Sequence, residues 1–70
     1  MEAIGKLVPV ERKQGVTIYG RVINTNGKLG QYEVHSDWVR YDGITYNDYP
    51  SAENKMNALI GVQQGKAKLN

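Results

Sequence analysis

The chain has 70 residues, nine Lys and Arg against seven Asp and Glu, and no cysteine, so we expect one small domain over residues 1–70. A chain of this size has a thin core and no room for a deep substrate cavity, which favours a function carried on the surface. The absence of cysteine excludes disulfides and thiolate metal sites and favours a reducing, cytoplasmic setting. No stretch approaches the ~20 apolar residues of a transmembrane helix, so no membrane partner is expected.

The first predicted element is an N-terminal strand or extended arm over residues 3–10, followed by a charged turn over 11–15. Pro9 has no amide hydrogen to donate, so this strand belongs at the edge of a sheet. The clearest strand is predicted over 16–23, where apolar and polar side chains alternate. One face of it carries Val16, Ile18 and Val22, and the other carries Thr17, Tyr19, Arg21 and Ile23.

Gly20 lies among the apolar positions of this strand and indicates a bulge or the close approach of another element, such as the helix. The dipeptide Asn26-Gly27 then favours a tight hairpin turn, because both central residues of a type I′ turn need positive φ. A further strand is predicted over 31–41. Ser36-Asp37 is expected to break or bulge it, since both side chains can bond to the local backbone.

The dipeptide Asp42-Gly43 predicts a second tight turn, between extended segments at 38–41 and 44–46. The fold class predicted is therefore α+β, a small antiparallel sheet of three to five strands packed against one C-terminal helix. Pro50 suits the first turn of that helix.

The helix is predicted to begin within two residues of Ser51, with Asp48, Tyr49 or Ser51 itself at the cap position. Gly61 or Gly65 is expected to end it, leaving a polar tail. The apolar stripe of the helix consists of Ala52, Met56, Leu59 and Ile60. We expect this stripe to cover Ile18, Val22, Val34 and Ile44 of the sheet.

No pair of side chains predicts catalysis. His35 is the single histidine, and Glu33 lies two positions away on the same strand face, but a lone strand histidine is usually an ordinary surface residue. No glycine-rich phosphate loop precedes a helix, and turn chemistry explains Asp42. We therefore expect a protein that is not an enzyme and has no cofactor, metal or small-molecule substrate.

The aromatic residues are one tryptophan and five tyrosines, with no phenylalanine. Two of them stand beside a guanidinium at i, i+2 spacing, a pattern that on an exposed sheet face suits nucleic-acid or protein recognition. The alternative is that these aromatic residues have no binding role and serve only to fill the core and to cover the back of the sheet. The candidate binding residues are Tyr19, Arg21, Lys28, Trp38 and Arg40, with Lys28 placed to reach a phosphate from its turn.

Residues 16–70 resemble two DNA-binding groups, the plant-type APETALA/ethylene-response domain and the arm-binding domain of some transposon and phage integrases. The resemblance is carried by the two hairpin dipeptides, by the helix start Tyr49-Pro50-Ser51-Ala52-Glu53 and by the ending Gly65-Lys66-Ala67-Lys68-Leu69-Asn70. It implies three antiparallel strands, one helix, and a sheet that lies in the major groove of DNA.

Two functions are therefore expected. The first is a nucleic-acid-binding accessory protein that uses the sheet face opposite the helix. The second is a protein-interaction module, such as a phage or mobile-element protein that inhibits or adapts a host protein, or a homodimer. Clustered Arg and Lys on that face favour the first, whereas a mixed face rich in exposed Tyr and Trp favours the second.

Overall fold

The protein is described by a computed structural model that covers residues 4–69, with side chains described for residues 4–62. The elements in chain order are β1 (Leu7–Lys13), β2 (Val16–Val22), β3 (Leu29–Ser36) and α1 (Tyr49–Leu69). The strands form one antiparallel sheet in the order β1-β2-β3, and α1 packs against β2 and β3. The predicted α+β class is confirmed. Among the described residues, no helix is long and apolar enough to cross a membrane.

The turn between β1 and β2 is shorter than the sequence predicts. Gln14 has a φ of 49° and Gly15 a φ of 83°, so this two-residue turn has the positive φ values that a tight hairpin needs. The charged turn expected over 11–15 is therefore wrong in extent, because residues 11–13 continue the pairing of β1 with β2. The register shifts between Pro9 and Glu11, which is where proline leaves the ladder without a donor.

The turn between β2 and β3 contains the predicted Asn26-Gly27. The side-chain oxygen of Asn24 accepts the amides of Asn26 at 2.9 Å and Lys28 at 3.1 Å, and Gly27 has a φ of 84°. The close approach expected at Gly20 comes from β3 and not from the helix, since a Cβ there would lie 2.6 Å from the Leu29 side chain.

Residues 37–48 form a loop in which the strands predicted around Asp42-Gly43 are absent. The turn itself forms, because the Asp42 carboxylate accepts the Ile44 amide at 2.9 Å and Gly43 has a φ of 83°. The flanks lack a partner strand, apart from one isolated bridge between Tyr46 and Tyr32. Consequently β3 ends at Ser36 and not at residue 41.

The helix begins at Tyr49, within the predicted two residues of Ser51. Asp48 is the cap, because its carboxylate accepts the Ser51 amide at 2.8 Å. The pKa of Asp48 is lowered by the Ser51 side chain and then by this amide. The Tyr49 hydroxyl donates to the Glu11 carboxylate, which raises the pKa of Tyr49 to about 12 and ties the start of the helix to β1.

The predicted helix end is wrong, since the helical backbone runs through Gly61 and Gly65 to Leu69. Gly61 has no positive φ, so it is an interior helical residue, where glycine costs only about 1 kcal/mol relative to alanine. The tail expected at 65–70 is therefore helical as far as residue 69, and Asn70 lies outside the described residues.

The core lies between α1 and the facing side of the sheet. Its buried residues are Val16, Ile18, Val34, Ala52, Met56 and Ile60, and Val22 is buried nearby. Met56 is confirmed as a core residue, whereas Leu59 packs at the rim and is half-buried. Ile44 is predicted to lie in the core but is 48 % exposed, because its segment is a loop that meets β3 at an isolated bridge between Tyr46 and Tyr32 and does not form a strand.

Candidate nucleic-acid interface

The sheet face that points away from α1, called the open face below, carries mostly polar and aromatic side chains. Antiparallel partners project to the same side, so the register assigns its members. They are Leu7, Pro9 and Arg12 on β1, Thr17, Tyr19 and Arg21 on β2, and Gln31, Glu33 and His35 on β3.

Glu33 lies at the centre of the open face, with a side chain only 9 % exposed. One carboxylate oxygen accepts a hydrogen bond from Arg21 at 2.7 Å, and the other lies 3.0 Å from Nε2 of His35. Burial acts to raise the pKa of Glu33, but the bonds from His35 and Arg21 and their charges outweigh it, so the pKa is lowered. Glu33 is therefore the anionic centre of a cross-strand network.

Arg21 is held by both of its terminal nitrogens. Nη2 donates to Glu33, and Nη1 donates to the backbone oxygen of Gly5 at 2.7 Å. The side chain is nevertheless 35 % exposed. The guanidinium is thus fixed in place while part of it stays open to a ligand.

Three aromatic rings pack together beside this network. Tyr41 reaches the open face from the loop and stacks on His35, with ring centroids 4.2 Å apart and planes at 16°. Tyr19 meets the same imidazole edge-on at 5.0 Å. Burial, followed by the nearby charges of Glu33 and Asp42, raises the pKa of Tyr41. The rings contact one another and leave no free slot for a stacked base between them.

Arg12 occupies the β1 side of the open face. It donates to the Thr17 hydroxyl at 2.8 Å and to the Asp37 carboxylate at 2.6 Å. The Arg12 and Asp37 side chains are 57 % and 62 % exposed, and an exposed pair of this kind contributes at most about 1 kcal/mol. Arg12 can therefore exchange Asp37 for an external anion at little cost.

The predicted site residues do not all share one surface. Tyr19 and Arg21 lie together on the open face, as expected. Lys28 is exposed in the turn between β2 and β3, at one end of the sheet. Trp38 packs over the turn at the other end, where a Cβ on Gly15 would lie 2.6 Å from its ring.

Arg40 lies on the helix side of the loop. It lines a cavity of about 40 Å³ together with Asp42 of the loop and with Lys55 and Leu59 of α1. The bond from the Ile44 amide lowers the pKa of Asp42 most, burial opposes it, and the bond from Lys55 lowers the pKa further. The expected placement of Trp38 and Arg40 on one strand face is wrong, because their segment is not a strand.

The sequence pattern missed Arg12, Tyr41 and the role of Glu33. Glu33 and His35 were placed correctly on one face, but strand alternation does not reveal the partner across the sheet. The available signal was the matching alternation of Thr17-Tyr19-Arg21 with Gln31-Glu33-His35. The sequence pattern places Arg12 in a turn and Tyr41 in a strand.

Charges without an ion-pair partner are distributed unevenly over residues 4–62. The cations of this kind are Lys6, Lys13 and Lys28 at the ends of the strands, and Arg40 on the helix side of the loop. The carboxylates of this kind are Glu11 on β1, Asp48 just before the helix and Glu53 in its first turns. Over residues 4–62, the ends of the sheet are therefore more basic than the first turns of α1.

Comparison with known protein families, with curated proteins and with solved structures finds no match. What the open face can do must therefore be argued from its own geometry. Within the described part of the chain, no group of three or more histidines and carboxylates is placed to hold a metal ion.

Proposed function

We propose that this chain is a small, non-enzymatic module that binds nucleic acid through the open face of its sheet. Arg12 and Arg21 contact phosphates or base edges, and Lys28 contacts a phosphate from its turn. The observation that carries the proposal is the placement of both sheet arginines on the open face, each fixed by hydrogen bonds, while Asp48 and Glu53 lie at the start of the helix.

The width of the sheet supports a duplex as the ligand. Neighbouring strands are about 4.8 Å apart, so three strands present a face roughly 10 Å wide, against a major groove about 12 Å wide. Single-strand binders offer free aromatic faces on which bases stack. Here the rings of Tyr19, His35 and Tyr41 pack on one another, which favours contact with an intact duplex.

The absence of catalysis is part of the proposal. The titratable groups at the centre of the open face bind one another, and the cavity of about 40 Å³ lies on the opposite side, toward α1. No described nucleophile adjoins a base next to a pocket, as an enzyme would require.

The test is a titration of labelled duplex DNA, single-stranded DNA and RNA at several salt concentrations. Arg12→Gln removes one cation from the open face, and Arg40→Gln removes one from the helix side as the matched control. Losing one phosphate contact lowers the slope of log K against log salt by about 0.9. We expect that loss for Arg12→Gln and none for Arg40→Gln. No binding of any form at low salt would overturn the proposal.

The role of Arg21 needs a paired variant, because its removal alone leaves one oxygen of the buried Glu33 carboxylate without its partner. Arg21→Gln with Glu33→Gln replaces both charges by amides of similar shape and leaves the net charge unchanged. Weaker duplex binding by a folded double variant is expected if Arg21 contacts the ligand. Unchanged affinity would place the contact elsewhere on the sheet.

The second candidate is a protein-interaction module, favoured by apolar exposure in the loop. Trp38, Val39 and Ile44 are 36 %, 44 % and 48 % exposed within seven residues of chain. Exposed apolar residues that cluster in this way mark interaction surfaces. Val39→Ser with Ile44→Ser would abolish self-association or partner binding under this alternative, and would leave duplex binding intact under the first.

A further inference from the structure

We propose that proton uptake by His35 strengthens nucleic-acid binding at the open face, an inference that rests on the proposed function. The affinity for a duplex is then expected to rise as the pH falls from about 8 to about 5.5, the range in which histidine changes charge. The geometry behind it is the position of His35 between Glu33, Tyr19 and Tyr41.

The charges of the open face cancel when His35 is neutral. Arg12 is paired with Asp37, and Arg21 is paired with Glu33. His35 adds the fifth group, at 3.0 Å from the same Glu33 carboxylate. Protonation of its imidazole therefore changes the open face from balanced to net positive, and a polyanion responds to that change.

The other groups that face His35 keep their charge in this pH range. From β3, Glu33 has a lowered pKa and stays anionic, although its burial acts in the opposite direction. From the loop, Tyr41 has a raised pKa, chiefly through burial, and stays neutral. The remaining neighbours are Tyr19 and Arg21 on β2, Arg12 on β1 and Asp37 after β3. Histidine is thus the residue type in this cluster that ordinarily changes its charge in this range.

The Glu33 carboxylate can hold two cations at once. Each of its oxygens already serves a different partner, with Arg21 on one and His35 on the other. A protonated imidazole therefore keeps its bond without displacing Arg21. Because the His35 side chain is 35 % exposed, the added charge reaches a ligand lying on the open face.

The experiment measures duplex affinity between about pH 8 and about pH 5.5 at constant ionic strength. The wild type is compared with His35→Gln, which keeps a donor but cannot gain charge, and with His35→Lys, which is permanently charged. One added charge-assisted contact is expected to make wild-type binding about tenfold tighter at the acid end of this range than at the alkaline end. The slope of log K against log salt should be steeper there by about 0.9. His35→Gln is expected to stay flat, and His35→Lys to bind tightly throughout.

A wild-type affinity that does not change with pH overturns the inference but leaves the proposed function standing. An absence of binding at every pH overturns both. If neither variant folds, NMR titration of the His35 imidazole in the wild type decides the matter. Linkage requires that bound duplex moves its titration midpoint to higher pH, and an unmoved midpoint contradicts the inference.

Discussion

Substitution of two glycines by alanine separates backbone strain from steric contact in this fold. Gly15 and Gly43 both have a φ of +83°, a region in which alanine costs about 1–2 kcal/mol. They differ in their surroundings. A Cβ on Gly15 would lie 2.6 Å from the Trp38 ring, whereas a Cβ on Gly43 would meet nothing within 4 Å. Gly43→Ala is therefore the matched control for Gly15→Ala.

The expected difference follows from these contacts. Gly43→Ala carries only the strain, about 1 kcal/mol, while Gly15→Ala adds the displacement of Trp38, about 1–3 kcal/mol more. A 70-residue domain has roughly 3–10 kcal/mol of stability in total, so Gly15→Ala should leave the fold close to unfolding.

Urea denaturation followed by circular dichroism gives the two free energies of unfolding, and Trp38 emission in native conditions reports the ring. We expect a changed emission for Gly15→Ala and an unchanged one for Gly43→Ala. Equal losses of stability, with Trp38 emission unaffected in both, would refute the packing of Trp38 over the first turn.

Three further outcomes follow from the packing and the charges. Met56→Ala should cost about 2–5 kcal/mol because Met56 is buried in the core, and Leu59→Ala about half of that because Leu59 lies at the rim; equal losses in urea titrations would contradict this packing. Asp48→Ala removes the helix cap and should lower the midpoint of urea unfolding, with an unchanged midpoint as the contrary result. Folding lowers the pKa of Glu33 from 4.5, so the stability that Glu33 contributes is present above pH 4.5 and is lost as the pH falls through the lowered pKa. Glu33→Gln should therefore lose less stability than the wild type in thermal melts at acid pH. Melting temperatures that fall equally with pH in both proteins would contradict this.

Much of the fold could be predicted because local chemistry determines it. Alternation in 16–22 identified the buried and outward faces of β2 correctly. The glycine turns, Pro50 and the apolar stripe located the helix start to within two residues. These signals are local, and they do not depend on contacts between residues that are distant in the sequence.

The remainder depends on contacts between distant residues. Asp42-Gly43 forms its turn, but no local signal shows that the flanking segments lack a strand to pair with. The pairing of Arg21 with Glu33 depends on the register across the sheet, which alternation within one strand does not give. Gly61 stays helical because an isolated glycine costs less than ending a helix that already packs on the sheet through Ile60.

The central claim is that nucleic acid binds on the open face, and arginine side-chain NMR tests it most directly. The Nε–H signals of Arg12, Arg21 and Arg40 are followed while duplex DNA is added to the wild-type protein. We expect the signals of Arg12 and Arg21 to shift in a saturable manner while that of Arg40 stays in place. Shifts confined to Arg40, or no shift at low salt, would contradict the claim.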